Sequence, residues 1–244
     1  MIIIRQQYTV SENVQLNYCY YRMVLSGSHA FTRPGQFCQI SLPGYYLRRP
    51  FSVCEWTVDS FTICYRPVGA GTDAMTGIPV GSKLDILTGL GNGFDPSMGQ
   101  RPVLIAGGMG AAPLLSLALM IRSSGRETVV LMGFNDDEQV CLDDLFCSAG
   151  CAVHISTIQP GCHVQGQVTG LLEHAADCDY LYCCGPELMM RELHHLAVLP
   201  GQYSLECRMG CGFGVCNACH IRTTLGARRI CYDGPIFRGE ELLW

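Results

Sequence analysis

The chain has 244 residues, 48% of them hydrophobic and 15% charged, the balance of a globular protein that buries a substantial core. Its net charge is −5, from 16 basic and 21 acidic residues with no basic block, which argues against a surface built to neutralise nucleic-acid phosphates. No stretch approaches the roughly 18 uninterrupted apolar residues that a membrane helix needs.

The amino end, MIIIRQQYTV, carries an apolar run too short for the core of a secretion signal, and Gln6 and Gln7 end it at once. A cytoplasmic protein is expected. Residues 1–97 read as strands: Val14–Leu25, Gln36–Leu42, Ser60–Val68 and Ser82–Leu90 are rich in β-branched, aromatic and alternating residues. The turns RPG and LPG help to separate them, and short strands at this spacing predict a small antiparallel barrel. Two stretches of this half could bind a ligand. Arg48–Val53, RRPFSV, sets Arg49 and Ser52 around the rigid Pro50, able to offer a cation and a hydroxyl to a phosphate or a ring edge. Tyr65–Met75 supplies Arg66, then glycines, then Thr72 at a candidate helix cap. Taken singly, each also has a purely structural reading.

From Arg101 the pattern changes. RPVLIAGG is a short apolar run ending in glycines, as a buried parallel strand would be. The stretch AAPLLSLALMIRSSG predicts a helix, with Pro113 in its first turn and Gly125 at its end. ETVVLMGF, CAVHIST and DYLYCCGP repeat the strand signal with helical stretches between. Such alternation predicts a parallel α/β domain over 98–202, its ligand site at the carboxyl ends of the strands. Gly107–Pro113, GGMGAAP, is not the G-x-G-x-x-G fingerprint. It either offers bare backbone to a pyrophosphate at a helix start or is simply a tight turn.

Five of the 16 cysteines fall between Glu206 and Pro235. The others, such as Cys19, Cys38 and Cys141, read as small core residues, and a reducing compartment disfavours a disulfide framework. Cys211, Cys216 and Cys219 are spaced C-x4-C-x2-C, and Cys231 follows after a short insert. That is the plant-type [2Fe–2S] ligand pattern, and Gly210, Gly212 and Gly214 allow the close backbone approach that such a loop requires. Zinc is the rival, but it usually takes paired C-x2-C units or Cys/His pairs. Only one C-x2-C unit stands here, and His220 directly follows Cys219. Cys207 fits no register of the pattern and reads as a packing residue. A cluster segment is therefore expected over 203–244.

With these motifs in order, the chain resembles the ferredoxin reductase superfamily. The resemblance rests on Arg49-Pro50-Phe51-Ser52 with Gly71-Thr72, on Gly107–Pro113 and on Cys184-Gly185-Pro186. The cysteine loop, continued by CYDGPIF, is similar to that of the electron-transfer subunits of NAD-dependent dihydroorotate dehydrogenases. Met109 and Ala112 stand where that family often has a third glycine and one of a pair of prolines. The resemblance implies a flavin-binding barrel, a nicotinamide-binding domain and a small iron–sulfur loop domain. It implies that Arg49, Pro50, Phe51, Ser52, Cys64, Tyr65, Arg66, Gly71 and Thr72 contact FAD. It places NAD at Gly107, Gly108, Gly110, Cys184, Gly185 and Pro186, and the cluster on Cys211, Cys216, Cys219 and Cys231. It further implies an FMN-containing catalytic partner that oxidises dihydroorotate in pyrimidine biosynthesis, the two forming a heterotetramer. No residue of this chain reads as a base for that oxidation. Two alternatives stay open: a reductase subunit serving ferredoxin, sulfide or sulfite chemistry, and a zinc-stabilised interaction module. The carboxyl end, PIFRGEELLW, either faces the partner or packs on its own domain.

Overall fold

The computed structural model describes residues 2–244. Strands β1 (Ile4–Gln15), β2 (Tyr21–Ser26), β3 (Phe37–Ile40), β4 (Arg49–Trp56) and β5 (Ser60–Tyr65), the short helix α1 (Ala70–Thr76) and strand β6 (Lys83–Leu90) form the first half. The six strands close into an antiparallel barrel in the order β1-β2-β5-β4-β3-β6. Its interior is filled by Tyr8, Met23, Cys38, Ile40, Phe61, Ile63 and Ile86, all essentially inaccessible.

The stretch Val14–Leu25, expected as one strand, is a hairpin corner instead. The Asn17 side-chain oxygen accepts the N–H groups of Cys19 at 3.2 Å and Tyr20 at 3.0 Å, so a single asparagine reverses the chain. The turn also frees the residues before it to form the long β1. Thr72 is not the cap of α1 either. It sits in the first turn, and its hydroxyl accepts the N–H groups of Val68 at 2.9 Å and Gly69 at 3.2 Å. Gly69 is the capping residue, so the hydroxyl reaches back to the cap.

The second half runs β7 (Pro102–Gly107), α2 (Ala111–Ser123), β8 (Val129–Phe134), α3 (Asp143–Ser148), β9 (Ala152–Thr157), β10 (Val164–Gln165), β11 (Tyr180–Cys184), α4 (Glu187–Leu196) and β12 (Gly201–Ser204). These strands are parallel, in the order β10-β9-β8-β7-β11-β12. Pro113 lies in the first turn of α2, and Gly125 follows its end at φ +82°, its N–H bonded to the Arg122 carbonyl at 2.9 Å. The carboxyl ends of β7, β8, β11 and β12 face the barrel across a cleft.

The last forty residues carry a small hairpin, β13 (His220–Thr223) and β14 (Gly226–Arg229), and then β15 (Ile236–Arg238). Strand β15 pairs antiparallel with β12 and ends the larger sheet. The carboxyl end thus packs on its own domain: Ile236 and Phe237 are buried, and the Trp244 ring meets Tyr203 edge-on at 5.2 Å. Among the described residues no helix is long and apolar enough to cross a membrane.

Candidate functional site

A cleft of about 670 Å³ separates the barrel from the α/β sheet. From the barrel, Pro50, Phe51, Ser52, Cys64, Tyr65 and Arg66 line it; from the strand ends opposite come Gly107, Gly108, Gly110, Gly185 and Pro186. Residues far apart in sequence therefore meet across one opening. Tyr65 is a rigid wall, its hydroxyl donating to Asn13 Oδ1 at 2.9 Å and its ring meeting Phe51 edge-on at 5.9 Å. Arg66 is exposed and has no hydrogen-bond or ion-pair partner among the described residues, so its charge is available to an anionic ligand.

Arg49, Gly71 and Thr72 come together beside the cleft rather than in its wall. The Arg49 guanidinium lies over Gly71, where any Cβ would come within 2.5 Å of it, and its charge stacks 4.6 Å above the Tyr45 ring. A cation thus sits over the first turn of α1, where it also donates to the Leu47 carbonyl. Cys184 lies beneath the surface at the end of β11, buried, and its carbonyl meets Gly110. This arrangement of flat apolar walls, bare backbone at strand ends and the cations of Arg49 and Arg66 fits a flavin dinucleotide facing a second dinucleotide.

The four cysteines of the spacing motif come together as two pairs. Cys219 and Cys231 have their sulfurs 3.2 Å apart in a buried setting. Cys211 and Cys216 bond each other's N–H groups through sulfur at 3.4 Å. Burial works against the Cys211 thiolate, but N–H groups of Cys216, Phe213 and Val215 outweigh it and bring its pKa down to about 6. Burial and the neighbouring Cys219 push the Cys231 thiol up to about 12. A single tetrahedral ion with bonds of about 2.3 Å needs all four sulfurs within roughly 3.8 Å of one another. Among the described residues no three of them lie mutually within 4.8 Å. Two pairs match a two-iron cluster, in which each iron takes two thiolates, better than a single tetrahedral ion.

The CYDGPIF continuation holds the fourth cysteine against the loop. Arg229 donates to the Gly214 carbonyl at 2.9 Å and pairs with Asp233 at 3.2 Å. Asn92 donates to the carbonyls of Asp233 and Ile236 and accepts the Ile236 N–H, at 3.1, 2.8 and 3.1 Å. Leu90–Phe94 and Asp233–Phe237 therefore clasp barrel, sheet and cysteine loop together. Cys207, half-buried beside Cys219, lines the cleft with Leu205 and Met209. It is a packing residue placed between the cleft and the buried cysteine pair.

Sequence reasoning missed Glu206. Its carboxylate opens on the cleft, without a hydrogen-bond partner among the described residues, and lines a second cavity of about 540 Å³ with Arg191, Arg222 and Trp244. Neighbouring protein partly desolvates it and raises its pKa, although the residue stays exposed to solvent at the cleft, which screens the effect. Nothing local distinguishes it from a surface glutamate. The folded chain holds this proton more tightly than the unfolded chain does. The resulting stability is present at low pH and is lost as pH rises through the raised pKa. Glu206→Gln is therefore expected to melt slightly above the wild type at about pH 8 and level with it at about pH 4, on either side of the carboxylate range. An equal offset at both pH values would rule the explanation out.

Residues 206–243 match the family described as the iron-sulfur cluster binding domain of dihydroorotate dehydrogenase B. The chain is 34% identical to the dihydroorotate dehydrogenase B (NAD(+)) electron transfer subunit of Fusobacterium nucleatum, over 96% of both chains. It is 36% identical to that of Clostridium perfringens, again over 96% of both. A chain of the NADH-dependent reduced ferredoxin-NADP oxidoreductase superposes with a TM-score of 0.88 at 24% identity, covering 97% of this chain and 90% of that one. Phthalate dioxygenase reductase superposes at 0.66 and 18% identity, over 79% of this chain and 64% of that one. Both share the fold.

Proposed function

The chain belongs to the family of dihydroorotate dehydrogenase B (NAD(+)) electron transfer subunits, and on that premise we propose that it carries electrons from a dihydroorotate-oxidising partner to NAD⁺ by way of a [2Fe–2S] cluster and FAD. The observation that carries this reading is the meeting, at one cleft, of the arginine–serine strand, the glycine turns and the wall that backs onto the paired cysteines. Bound there, the cluster supplies single-electron exchange, the flavin links single electrons to electron pairs, and NAD⁺ takes up a hydride.

The chain's own residues bind, orient and seal. Arg49 and Arg66 supply cations for FAD and Thr72 a hydroxyl beside them, while Pro50, Phe51, Ser52, Cys64 and Tyr65 wall its ring. Gly107, Gly108, Gly110, Gly185 and Pro186 give NAD bare backbone, with Cys184 beneath them. Cys211, Cys216, Cys219 and Cys231 would hold the cluster, each pair supplying two thiolates. Packed side chains, Leu205 and Cys207 among them, fill the wall between cleft and cysteines and keep water out of it. The catalytic partner is an FMN-containing subunit, the assembly a heterotetramer and the location the cytoplasm. The reductase-subunit alternative loses its ground to the family membership.

Nicotinamide preference follows from the end of β8. Asn135 and Gln139 line the cleft there, and Asp136 and Asp137 stand between them in the chain. Asp136 is fixed by the Tyr18 hydroxyl at 2.9 Å and the Gln139 N–H at 3.0 Å. Arg66, the single basic residue of the cleft lining, belongs to the barrel side. A 2′-phosphate near these carboxylates meets a repulsion of about 1 kcal/mol per close charge even in water. NADP⁺ is expected to bind at least about tenfold more weakly than NAD⁺, as measured by titration of the FAD-loaded protein. Equal affinities would exclude the carboxylates as the determinant.

The function is tested by anaerobic co-purification with a dihydroorotate-oxidising subunit. Dihydroorotate is expected to bleach the flavin and cluster absorbance, and NAD⁺ to restore it. If NADH bleaches both centres and dihydroorotate never does, the cofactors stand and the pyrimidine role falls.

A further inference from the structure

Gln39 is a fully buried residue of β3 whose side-chain Oε1 and Nε2 both lack a hydrogen-bond partner. Alternation along β3 explains where it points. Cys38 and Ile40 enter the barrel core, whereas Phe37 packs outward in the same buried cluster as Cys219 and Cys231. Gln39 shares that outward face, and its carboxamide lies flat against Gly212 in the cysteine loop. A Cβ at Gly212 would sit 2.4 to 2.5 Å from Gln39 Cδ, Oε1 and Nε2. Gly212 also has φ +81°, a conformation that favours glycine. Across the ladder Gln39 faces Pro50, a wall residue of the cleft. The amide therefore stands between the flavin strand and the residue that follows Cys211.

A buried amide without partners is unfavourable, and such a group in a native protein calls for an explanation: strain, an ordered water, an ion or a redox role. Space alone does not explain the choice, because methionine or leucine would fill the gap without orphaning two polar atoms. The group that satisfies an N–H donor here must come from outside the polypeptide, and the sulfur atoms of an iron–sulfur cluster are electron-rich acceptors. Resting on the functional reading above, we propose that Gln39 donates its Nε2–H to the cluster's sulfur shell, linking the flavin barrel to the cysteine loop and raising the cluster's reduction potential. An N–H donor to sulfur favours the electron-richer, reduced state, so hydrogen bonds of this kind tune the potential. Gln39 is thus a tuning residue of the electron path and takes no part in bond making.

The test uses the full chain with FAD and cluster bound. The wild type is first reduced and examined by electron paramagnetic resonance; absence of a two-iron signal sinks the functional reading itself. With the signal present, Gln39→Met keeps the side-chain length and removes both polar atoms. Its cluster midpoint potential is expected to fall below the wild-type value and its reduced-state resonance to shift, while the FAD potential stays put. Identical cluster potentials in wild type and Gln39→Met overturn the proposal. A second measurement needs no variant: wild-type protein grown with side-chain ¹⁵N-labelled glutamine is expected to show a nitrogen coupling to the reduced cluster. If Gln39→Met fails to assemble its cluster, that coupling decides the matter, and its absence overturns the proposal.

Discussion

Cys231→Ser is expected to strip the cluster and to lower dihydroorotate-linked NAD⁺ reduction by more than about 100-fold, beyond the loss known for removing a mere outer-shell partner of a metal. The reason is the pairing of the sulfurs. Cys231 shares a buried pocket with Cys219, so its loss leaves one iron with a single thiolate, a dry serine hydroxyl that ionises poorly and no water to help it. Cys216 is exposed. Serine there can keep its hydroxyl hydrated and in place, and Cys216→Ser is expected to retain more iron than Cys231→Ser. Iron and acid-labile sulfide content measure the first effect. The flavin side lies beyond the cysteine wall, so NADH oxidation by a small artificial acceptor should stay within about twofold of wild type, the size of change expected where no contact is lost. Equal iron content in the two variants would refute the division into a buried and an exposed pair.

The cluster loop was legible in the sequence because its ligands are local: three of four cysteines fall within nine residues, and glycines mark where the backbone must come close. The α/β half was legible for a similar reason, since apolar runs ending in glycine recur beside helical stretches. The barrel was read less well. An asparagine turn inside Val14–Leu25 looks like any polar residue in a strand until its side chain is seen to bond Cys19 and Tyr20. Strand β4 hid within RRPFSV, where Arg49 and Pro50 obscure the alternation. Glu206 and Gln39 were invisible because their meaning is long-range. One is defined by its place between two cavities that distant segments form. The other is defined by contact with a glycine 173 residues further along the chain (212 − 39).

Gly110→Ala tests the nicotinamide side with comparable force. A Cβ at residue 110 would lie 2.2 Å from the Cys184 carbonyl oxygen and 2.9 Å from the Gly185 amide nitrogen. Both are backbone atoms at the end of β11, which pairs with β7 throughout its length, so no side chain can swing aside to make room. The clash must be relieved by moving the glycine turn away from Cys184-Gly185-Pro186. Overpacking of this kind costs about 1 to 3 kcal/mol of stability, and the displaced turn no longer presents its backbone at the same distance from the opposite strand end. The substitution is expected to weaken NAD⁺ binding at least about tenfold, the equivalent of one lost backbone contact of about 1.4 kcal/mol. Helix α2, which this turn begins, packs against β4 of the barrel, so FAD content is measured alongside, whereas iron content should match the wild type. Reduction by dithionite should still bleach both centres fully, and reduction by a fixed, sub-saturating concentration of NADH should be slow. A variant that takes electrons from NADH at the wild-type rate would show that the close approach of Gly110 to Cys184 serves the packing of the sheet alone.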